Sequence, residues 1–128
     1  MVIVSLAAAV LAALFIALSF YVIRLRYRHR VALGDGGHAD LARAMRVHAN
    51  FAEYVPFALV LLTLCALRGL PDFLLAPLCV VLVIGRALHA YGVAQENENF
   101  RFRTAGMMAS FGVIGVSALC LAGLALWG

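Results

Sequence analysis

Five polar residues recur at spacings that would place their side chains on one face of a helix. They are Arg43, Arg46, Asn50, Glu53 and Tyr54. At about 100° per residue, all of them fall within an arc of roughly 100°, which we call the helix-2 stripe. Asn50 lies four residues after Arg46 and three before Glu53, and both spacings bring side chains together on a helix. The stripe is therefore a candidate binding surface for a charged ligand.

Arginine dominates the charged residues that could join this stripe. Arg86 and His89 share one face of a third predicted helix because they are three residues apart. Further cations flank the first and last apolar segments: Arg26, Arg101 and Arg103. A guanidinium holds a carboxylate through paired hydrogen bonds and stays charged where water is scarce. The excess positive charge predicts a small polyanionic ligand, and Glu53 could bind an ammonium group of the same molecule.

Long apolar segments must position these residues. Of the 128 residues, 66% are hydrophobic and 12% are charged, whereas soluble domains carry about 25% charged residues. The segments 2–23 and 104–127 contain no charge, and roughly 20 apolar residues in a helix cross a bilayer. Two shorter apolar stretches between them can be extended as helices. The sequence predicts an all-α polytopic membrane protein, a single four-transmembrane-helix bundle with helices near 2–23, 41–67, 73–92 and 104–127.

In such a bundle the helix-2 stripe must face protein, water or a ligand, because ionisable groups are costly against lipid. Interhelical ion pairs and snorkelling arginines that fix the helices at the interface would satisfy this requirement without any ligand. Residue chemistry alone leaves both interpretations open.

The distribution of arginine predicts the topology. A basic cluster follows helix 1, at Arg24, Arg26, Arg28 and Arg30, and Arg101 and Arg103 precede helix 4. By the positive-inside bias, both loops should be cytoplasmic and both termini outside. The compactness of the chain and the absence of organelle signals favour a bacterial inner membrane over an intracellular eukaryotic one, which stays open. Contact with lipid phosphates explains the cluster after helix 1 more simply than ligand binding does. Because the basic residues flank membrane spans, nucleic-acid binding is not expected.

The other polar or reactive residues are expected to have structural roles rather than to bind a ligand or a metal. Cys65, Cys79 and Cys120 lie inside apolar segments and should act as small core hydrophobes. The histidines sit on separate elements without metal-ligand spacing, so no metal site is expected. His48 lies opposite the stripe and should be interfacial, whereas His29 and His38 should be solvated loop residues. The polar loop at residues 96–99 is assigned no chemistry.

Local signals mark the helix ends and contacts. Asp40 is expected to cap helix 2, and Pro56 is expected to kink it. Helix 4 carries small residues that would allow close packing, at Gly106, Ser110, Gly112, Gly115 and Ser117.

The segment from Arg43 to Pro56, R-x-x-R-x-x-x-N-x-x-E-Y-x-P, resembles the helix 2 signature of the MAPEG family, the membrane-associated proteins in eicosanoid and glutathione metabolism. The basic end of helix 1, Arg86 and the arginines before helix 4 extend the resemblance. The short length and compact loops resemble bacterial members. The resemblance implies a four-helix protomer in a homotrimer, with glutathione bound between subunits near the cytoplasmic face.

The resemblance also implies residue roles. Glutathione, as cosubstrate, would be held by Arg26, Arg43, Arg46, Asn50, Glu53, Tyr54, Arg86, His89 and Arg101. His89 stands where leukotriene synthases carry a tyrosine. Arg103 best matches the arginine that stabilises the glutathione thiolate, with Arg101 as the alternative. A thiol of pKa about 8.5 needs such a cation to ionise at neutral pH.

The function expected from this resemblance is a membrane glutathione transferase or peroxidase acting on lipophilic electrophiles that arrive from the surrounding lipids. Conjugation and peroxide reduction both remain open. The alternatives are a non-catalytic binder of glutathione or another small anion, and a small structural or transport bundle.

Overall fold

The computed structural model describes residues 1–95 and 100–127, except the side chain of Trp127, and contains four α-helices. They are α1 (Val2–His29), α2 (Ala39–Leu67), α3 (Asp72–Ala94) and α4 (Phe100–Trp127). The predicted polar loop at 96–99 lies outside the described residues. All four helices are long and apolar enough to cross a membrane. The chain is an integral membrane protein with four spans, which confirms the predicted fold class.

The helices extend beyond the apolar segments that predicted them. α1 ends at His29 rather than at Ile23, and α4 begins at Phe100 rather than at Thr104. Arg103 therefore lies in the first turn of α4, not in the preceding loop. A helix of 28 residues reaches roughly 42 Å at about 1.5 Å per residue, whereas the hydrocarbon core is about 30 Å thick. The apolar segment of each helix corresponds to the part that lies in lipid. The helical backbone hydrogen bonds continue beyond it through the membrane interface.

The bundle is arranged around its two middle helices. α2 and α3 contact each other, and each of them contacts both α1 and α4. Across the described ranges, α1 and α4 do not contact one another. The α2–α3 pair therefore has an α1 side and an α4 side, and a different set of side chains can gather on each.

Apolar side chains fill the core. Leu11, Leu62, Leu75 and Val113 are fully buried and come from all four helices. Cys65 and Cys79 are buried with them and Cys120 is partly buried, as predicted for small core residues. Large hydrophobic side chains cover the outside of the helices, as at Phe20, Phe57 and Leu119. In a membrane this outer surface meets lipid or another subunit.

Glycine brings α3 and α4 into close contact. A Cβ at Gly106 would stand 2.5 Å from the carbonyl oxygen of Gly85, and a Cβ at Gly85 would stand 2.6 Å from the Cβ of Ala109. Ser110 and Ser117 are also buried. The predicted small-residue packing of α4 is thus found at these positions. A Cβ at Gly112 or Gly115 would meet nothing within 4 Å, so those two glycines do not contribute to packing within the protomer.

The turn between α1 and α2 differs from the prediction. His29 Nε2 lies 2.8 Å from Asp40 Oδ2, and the ring of His38 stacks on that of His29 at a centroid distance of 3.9 Å. His38 lies in the loop as predicted, but His29 belongs to α1. Both residues are half-buried and their rings pack across the turn, so the prediction that they are solvated is wrong. α2 begins at Ala39 and its N-cap is His38, without a side-chain capping bond. Asp40 therefore does not cap the helix, because it lies inside the first turn and bonds His29.

The opposite end of the bundle carries few charges. The amino group of Met1 pairs with Asp72 Oδ1 at 3.7 Å, and Arg68 Nη2 donates to the carbonyl oxygen of Leu124 at 2.8 Å. The contacts of Met1 and Arg68 place Met1, the α2–α3 turn and the last turns of α4 at one end, and the arginine-rich segments at the other.

Between the two ends, α2 is continuous through Pro56.

Candidate functional site

A buried arginine connects three helices at the arginine-rich end. Arg86 on α3 is only 1% exposed. Its guanidinium donates from Nη2 to Asn50 Oδ1 on α2 at 2.7 Å and from Nη1 to Ser110 Oγ on α4 at 3.3 Å. It also lies 5.6 Å from the ring centroid of Phe51. Because a buried charge is costly unless it is paired or hydrogen-bonded, these contacts stabilise Arg86, although its Nε is buried without a partner.

Beside Arg86, a small cavity opens between α2, α3 and α4. Its volume is about 110 Å³. The residues lining it are Arg46, Asn50, His89, Val93, Arg103 and Met107. We call it the α4-side cavity. Four of these residues were predicted to bind a ligand: Arg46, Asn50, His89 and Arg103. The first and the last of them are more than fifty positions apart in the sequence.

Asn50 has a defined orientation at this cavity. Since its Oδ1 accepts the hydrogen bond from Arg86, the amide is oriented with its NH₂ group as the remaining donor. A buried arginine thus fixes which hydrogen-bonding group the cavity wall presents. Arg86 itself does not line the α4-side cavity, and its direct contact with a ligand stays a prediction.

His89 is also held by the fold. It is 3% exposed, and its Nδ1 lies 3.2 Å from the backbone oxygen of Arg103. Because a carbonyl oxygen can only accept, Nδ1 carries the proton. Gly106 makes this approach possible, since a Cβ there would stand 2.6 Å from the Cβ of His89. The α3–α4 crossing therefore sets the position of both His89 and the start of α4.

The rest of the helix-2 stripe lies on the outer surface. Glu53 is exposed, and within the part of the chain that the structure describes its carboxylate makes no hydrogen bond or ion pair. Tyr54 is half-buried, with its ring edge-on to that of Phe111 at a centroid distance of 5.5 Å. Neither residue lines the α4-side cavity. Within one protomer, the stripe is divided between a cavity and an exposed face.

Three other predicted ligand residues lie elsewhere. Arg26 Nη1 donates to the carbonyl oxygens of Ala32 and Gly34, at 3.3 and 2.9 Å, and so holds the first loop against α1. Arg43 lines a separate cavity on the α1 side of α2. Arg101 is exposed and does not line the α4-side cavity. A helical wheel placed Arg43 and Arg46 on one face but could not show that different helices pack beside them.

Some contributors were not predicted from the sequence as part of a site. Ser110 and Met107 are such residues, and the sequence identifies Ser110 only as a small packing residue.

His48, predicted to be interfacial, stacks on Phe15 with ring centroids 4.7 Å apart and bonds Ser19 Oγ at 2.9 Å. Ser19 donates its single proton to Phe15 O at 2.8 Å, so His48 Nε2 is the donor to Ser19.

Metal binding has no support among the described side chains. In residues 1–95 and 100–127, no group of three or more histidine, cysteine, aspartate or glutamate side chains could hold a metal ion. The chemistry available at the α4-side cavity is that of guanidinium, imidazole and amide groups.

These features define a class of protein: a four-helix integral membrane protein with a cationic cavity between α2, α3 and α4. The sequence profile of the MAPEG family matches residues 4–123. The inner membrane protein YecN of Escherichia coli K12 is 41% identical over 93 residues, covering 73% of this chain and 70% of the relative. YecN from E. coli O6:H1 matches to the same extent. The chain belongs to the MAPEG family.

Proposed function

We propose that the protein binds glutathione and uses it as a cosubstrate against lipophilic electrophiles that reach it from the membrane. The observation that carries the proposal is the convergence of Arg46, Asn50, His89 and Arg103 around one cavity in a member of the MAPEG family. Family membership alone does not specify an activity, so the proposal depends on whether these side chains suit glutathione.

The chemical groups of the site complement those of glutathione. The peptide offers two carboxylates, one amine and one thiol. Arg46 is exposed at the α4-side cavity and can hold a carboxylate through paired hydrogen bonds. Asn50 offers its NH₂ group as a further donor, because its oxygen is taken by Arg86. Glu53 supplies an exposed carboxylate on the same helix for the amine.

The size of the cavity supports a site shared between subunits. Its volume of about 110 Å³ is below the roughly 300–1,000 Å³ of pockets that enclose small ligands. A single protomer therefore supplies only part of a glutathione site. Glu53 and Tyr54 lie on an outer face that a neighbouring copy could cover. A homotrimer in which adjacent subunits complete the site is the assembly we propose.

Arg103 is the proposed catalytic residue. Its guanidinium, at the cavity, would stabilise the glutathione thiolate and lower the pKa of the thiol. In a conjugation reaction the thiol proton passes to water and the sulfur lone pair forms a bond to the electrophilic carbon. The leaving group departs with the electrons of the broken bond. The exposed apolar surface of the helices would let such an electrophile arrive from lipid.

The first experiment is calorimetric titration of the detergent-purified protein with glutathione. We expect saturable binding by the wild type and weakened binding by Arg46→Ala and Glu53→Ala. All proteins must give matching helical circular dichroism and size-exclusion profiles. The absence of binding by folded wild type would overturn the proposal.

The catalytic assignment is tested with Arg103→Ala and the matched variant Arg101→Ala. We expect turnover of a chloronitrobenzene with glutathione to fall about 100- to 1,000-fold in Arg103→Ala, in the range typical for loss of one group that stabilises developing charge. The dissociation constant for glutathione should change much less. Equal losses of binding and turnover would reject the thiolate role, and a larger loss of turnover in Arg101→Ala would transfer that role to Arg101.

We also propose an inner-membrane location, with the first and third loops in the cytoplasm and both termini outside. The arginine-rich helix ends support this orientation through the positive-inside bias. Alkaline phosphatase fused after the last residue should be active, because the enzyme matures only outside the cytoplasm. Activity from a fusion in the first loop instead would reverse the orientation.

A further inference from the structure

A second and larger cavity lies on the α1 side of the α2–α3 pair. Its volume is about 560 Å³. Its described lining residues are Tyr21, Arg24, Leu25, Arg28, Asp40, Arg43 and Ala94. We call it the α1-side cavity. Among the described residues it shares no lining residue with the α4-side cavity, and so the glutathione proposal does not account for it.

The three arginines of this cavity come from two helices. Arg24 and Arg28 are exposed and lie four residues apart on α1, a spacing that places them on the same face. Arg43 approaches from α2. Like charges that face one cavity repel each other, and an anion between them would relieve that repulsion.

No described protein group neutralises these guanidiniums. Within residues 1–95 and 100–127, none of the three arginine side chains makes a hydrogen bond or an ion pair. Nε of Arg43 is buried and without a partner. A buried donor left without an acceptor is destabilising. An acceptor bound beside Arg43 would remove this cost.

Asp40 is the one acidic residue among the described lining of this cavity, and its oxygens are already engaged. Oδ2 bonds His29 Nε2 at 2.8 Å and Oδ1 accepts from the backbone N–H of Leu41 at 2.8 Å. Asp40 forms no ion pair with the arginines. Three guanidinium groups thus face one carboxylate that is committed to the α1–α2 turn.

We propose that the α1-side cavity is a binding site for a phosphate group, held by Arg24, Arg28 and Arg43. A phosphate presents several oxygens at once, and arginine binds it through paired, charge-assisted hydrogen bonds. The apolar side chains of Leu25 and Ala94 lie beside the arginines, at the end where α1 passes beyond the hydrocarbon core. Both the headgroup of an anionic phospholipid and a free phosphate ion carry the required chemistry, and experiment separates these sources.

The lipid source is tested by native mass spectrometry of the full-length protein in a neutral detergent. Phosphatidylglycerol and phosphatidylcholine are offered in equal amounts. We expect the wild type to retain phosphatidylglycerol at least tenfold over phosphatidylcholine, and Arg28→Gln/Arg43→Gln to lose that preference. Arg24→Gln/Arg28→Gln should lose it as well. These two substitutions are at exposed positions, so this variant answers the question even if Arg43→Gln folds poorly.

The soluble source is tested by titrating the same proteins with inorganic phosphate in calorimetry. Saturable phosphate binding by the wild type that is lost in both double variants, without any lipid preference, would support the site with a soluble ligand. The control is Arg30→Gln, which removes a charge from the same segment but does not line the cavity. We expect it to bind either probe within twofold of the wild type.

Two results would overturn the proposal. The first is a folded wild type that neither prefers phosphatidylglycerol nor binds phosphate. The second is an equal loss of binding in Arg30→Gln and in the double variants, which would show diffuse surface charge rather than a site. Glutathione titration of the same variants separates this proposal from the preceding one, because Arg46 and Arg103 remain intact in all of them.

Discussion

The α1 side and the α4 side of the α2–α3 pair each have an arginine with a different number of hydrogen-bond partners. On the α4 side, Arg86 is buried and its donors reach Asn50 and Ser110. The Nε atoms of Arg86 and Arg43 are both buried without a partner, but within the described residues the Arg43 side chain makes no hydrogen bond at all, and α1 adds more arginines rather than acceptors. The difference comes from the neighbouring helix, because α4 supplies a hydroxyl group where α1 supplies guanidiniums. An arginine in a membrane helix is structural or available to a ligand according to what packs beside it.

The largest expected effect concerns the α3–α4 crossing that supports the α4-side cavity. A Cβ at Gly106 would stand 2.5 Å from the carbonyl oxygen of Gly85, whereas a Cβ at Gly112 meets nothing within 4 Å. We expect Gly106→Ala to lower the free energy of unfolding in detergent by about 3 kcal/mol, as overpacking does. Gly112→Ala is the matched control and should leave stability unchanged or raise it by up to about 1 kcal/mol. Similar losses in the two variants would show that the crossing is not tightly packed.

A direct comparison of the two arginines comes next in magnitude. Arg86→Met removes hydrogen bonds to Asn50 and Ser110, and we expect it to destabilise the protein by about 2 kcal/mol in detergent unfolding. Arg43→Met removes no described hydrogen bond. In detergent free of phosphate and anionic lipid, it should leave the free energy of unfolding unchanged or raise it by about 1 kcal/mol, because it removes a buried donor that lacks an acceptor. Equal effects would contradict the distinction between the cavities.

Glutathione binding should distinguish the two sides of α2. Arg46→Ala should raise the dissociation constant about tenfold or more, because a charge-assisted hydrogen bond contributes about 1.5–3 kcal/mol and 1.4 kcal/mol corresponds to about tenfold. Arg43→Ala should change it less than about threefold, which is below 0.7 kcal/mol on the same scale. Calorimetry measures both constants. A larger effect of Arg43 would return that residue to the glutathione site, as the helix-2 stripe predicts.

The smallest expected effect lies in the α1–α2 contact. His48→Phe keeps the aromatic stacking on Phe15 but loses the hydrogen bond to Ser19. We expect a loss of about 1 kcal/mol in detergent unfolding, the net value of one hydrogen bond. Ser19→Ala should cost a similar amount. Glutathione binding should be unchanged in both variants, and a marked loss of binding would connect the α1 side to the α4-side cavity.

Much of the architecture follows from the sequence alone. Two apolar runs long enough to cross a bilayer, and two shorter ones that can be extended as helices, predict four spans, because a helix satisfies its backbone hydrogen bonds within its own segment in lipid. The helix-2 motif identified the family, and the arrangement of small residues on α4 indicated close packing. Helix ends were less predictable, since the helices continue beyond the hydrophobic segments through charged residues such as Arg28 and Arg101.

Only the tertiary structure decided which polar residues meet. Helical periodicity placed Arg43 and Arg46 on one face, but α1 packs beside one and α4 lies beside the other, so they line different cavities. The tertiary structure also showed that Arg86 donates a hydrogen bond to Asn50 and does not line the α4-side cavity. It showed as well that His29 bonds Asp40. A sequence fixes spacing along each helix, whereas the hydrogen-bond partners of a side chain depend on neighbouring helices that are distant in the chain.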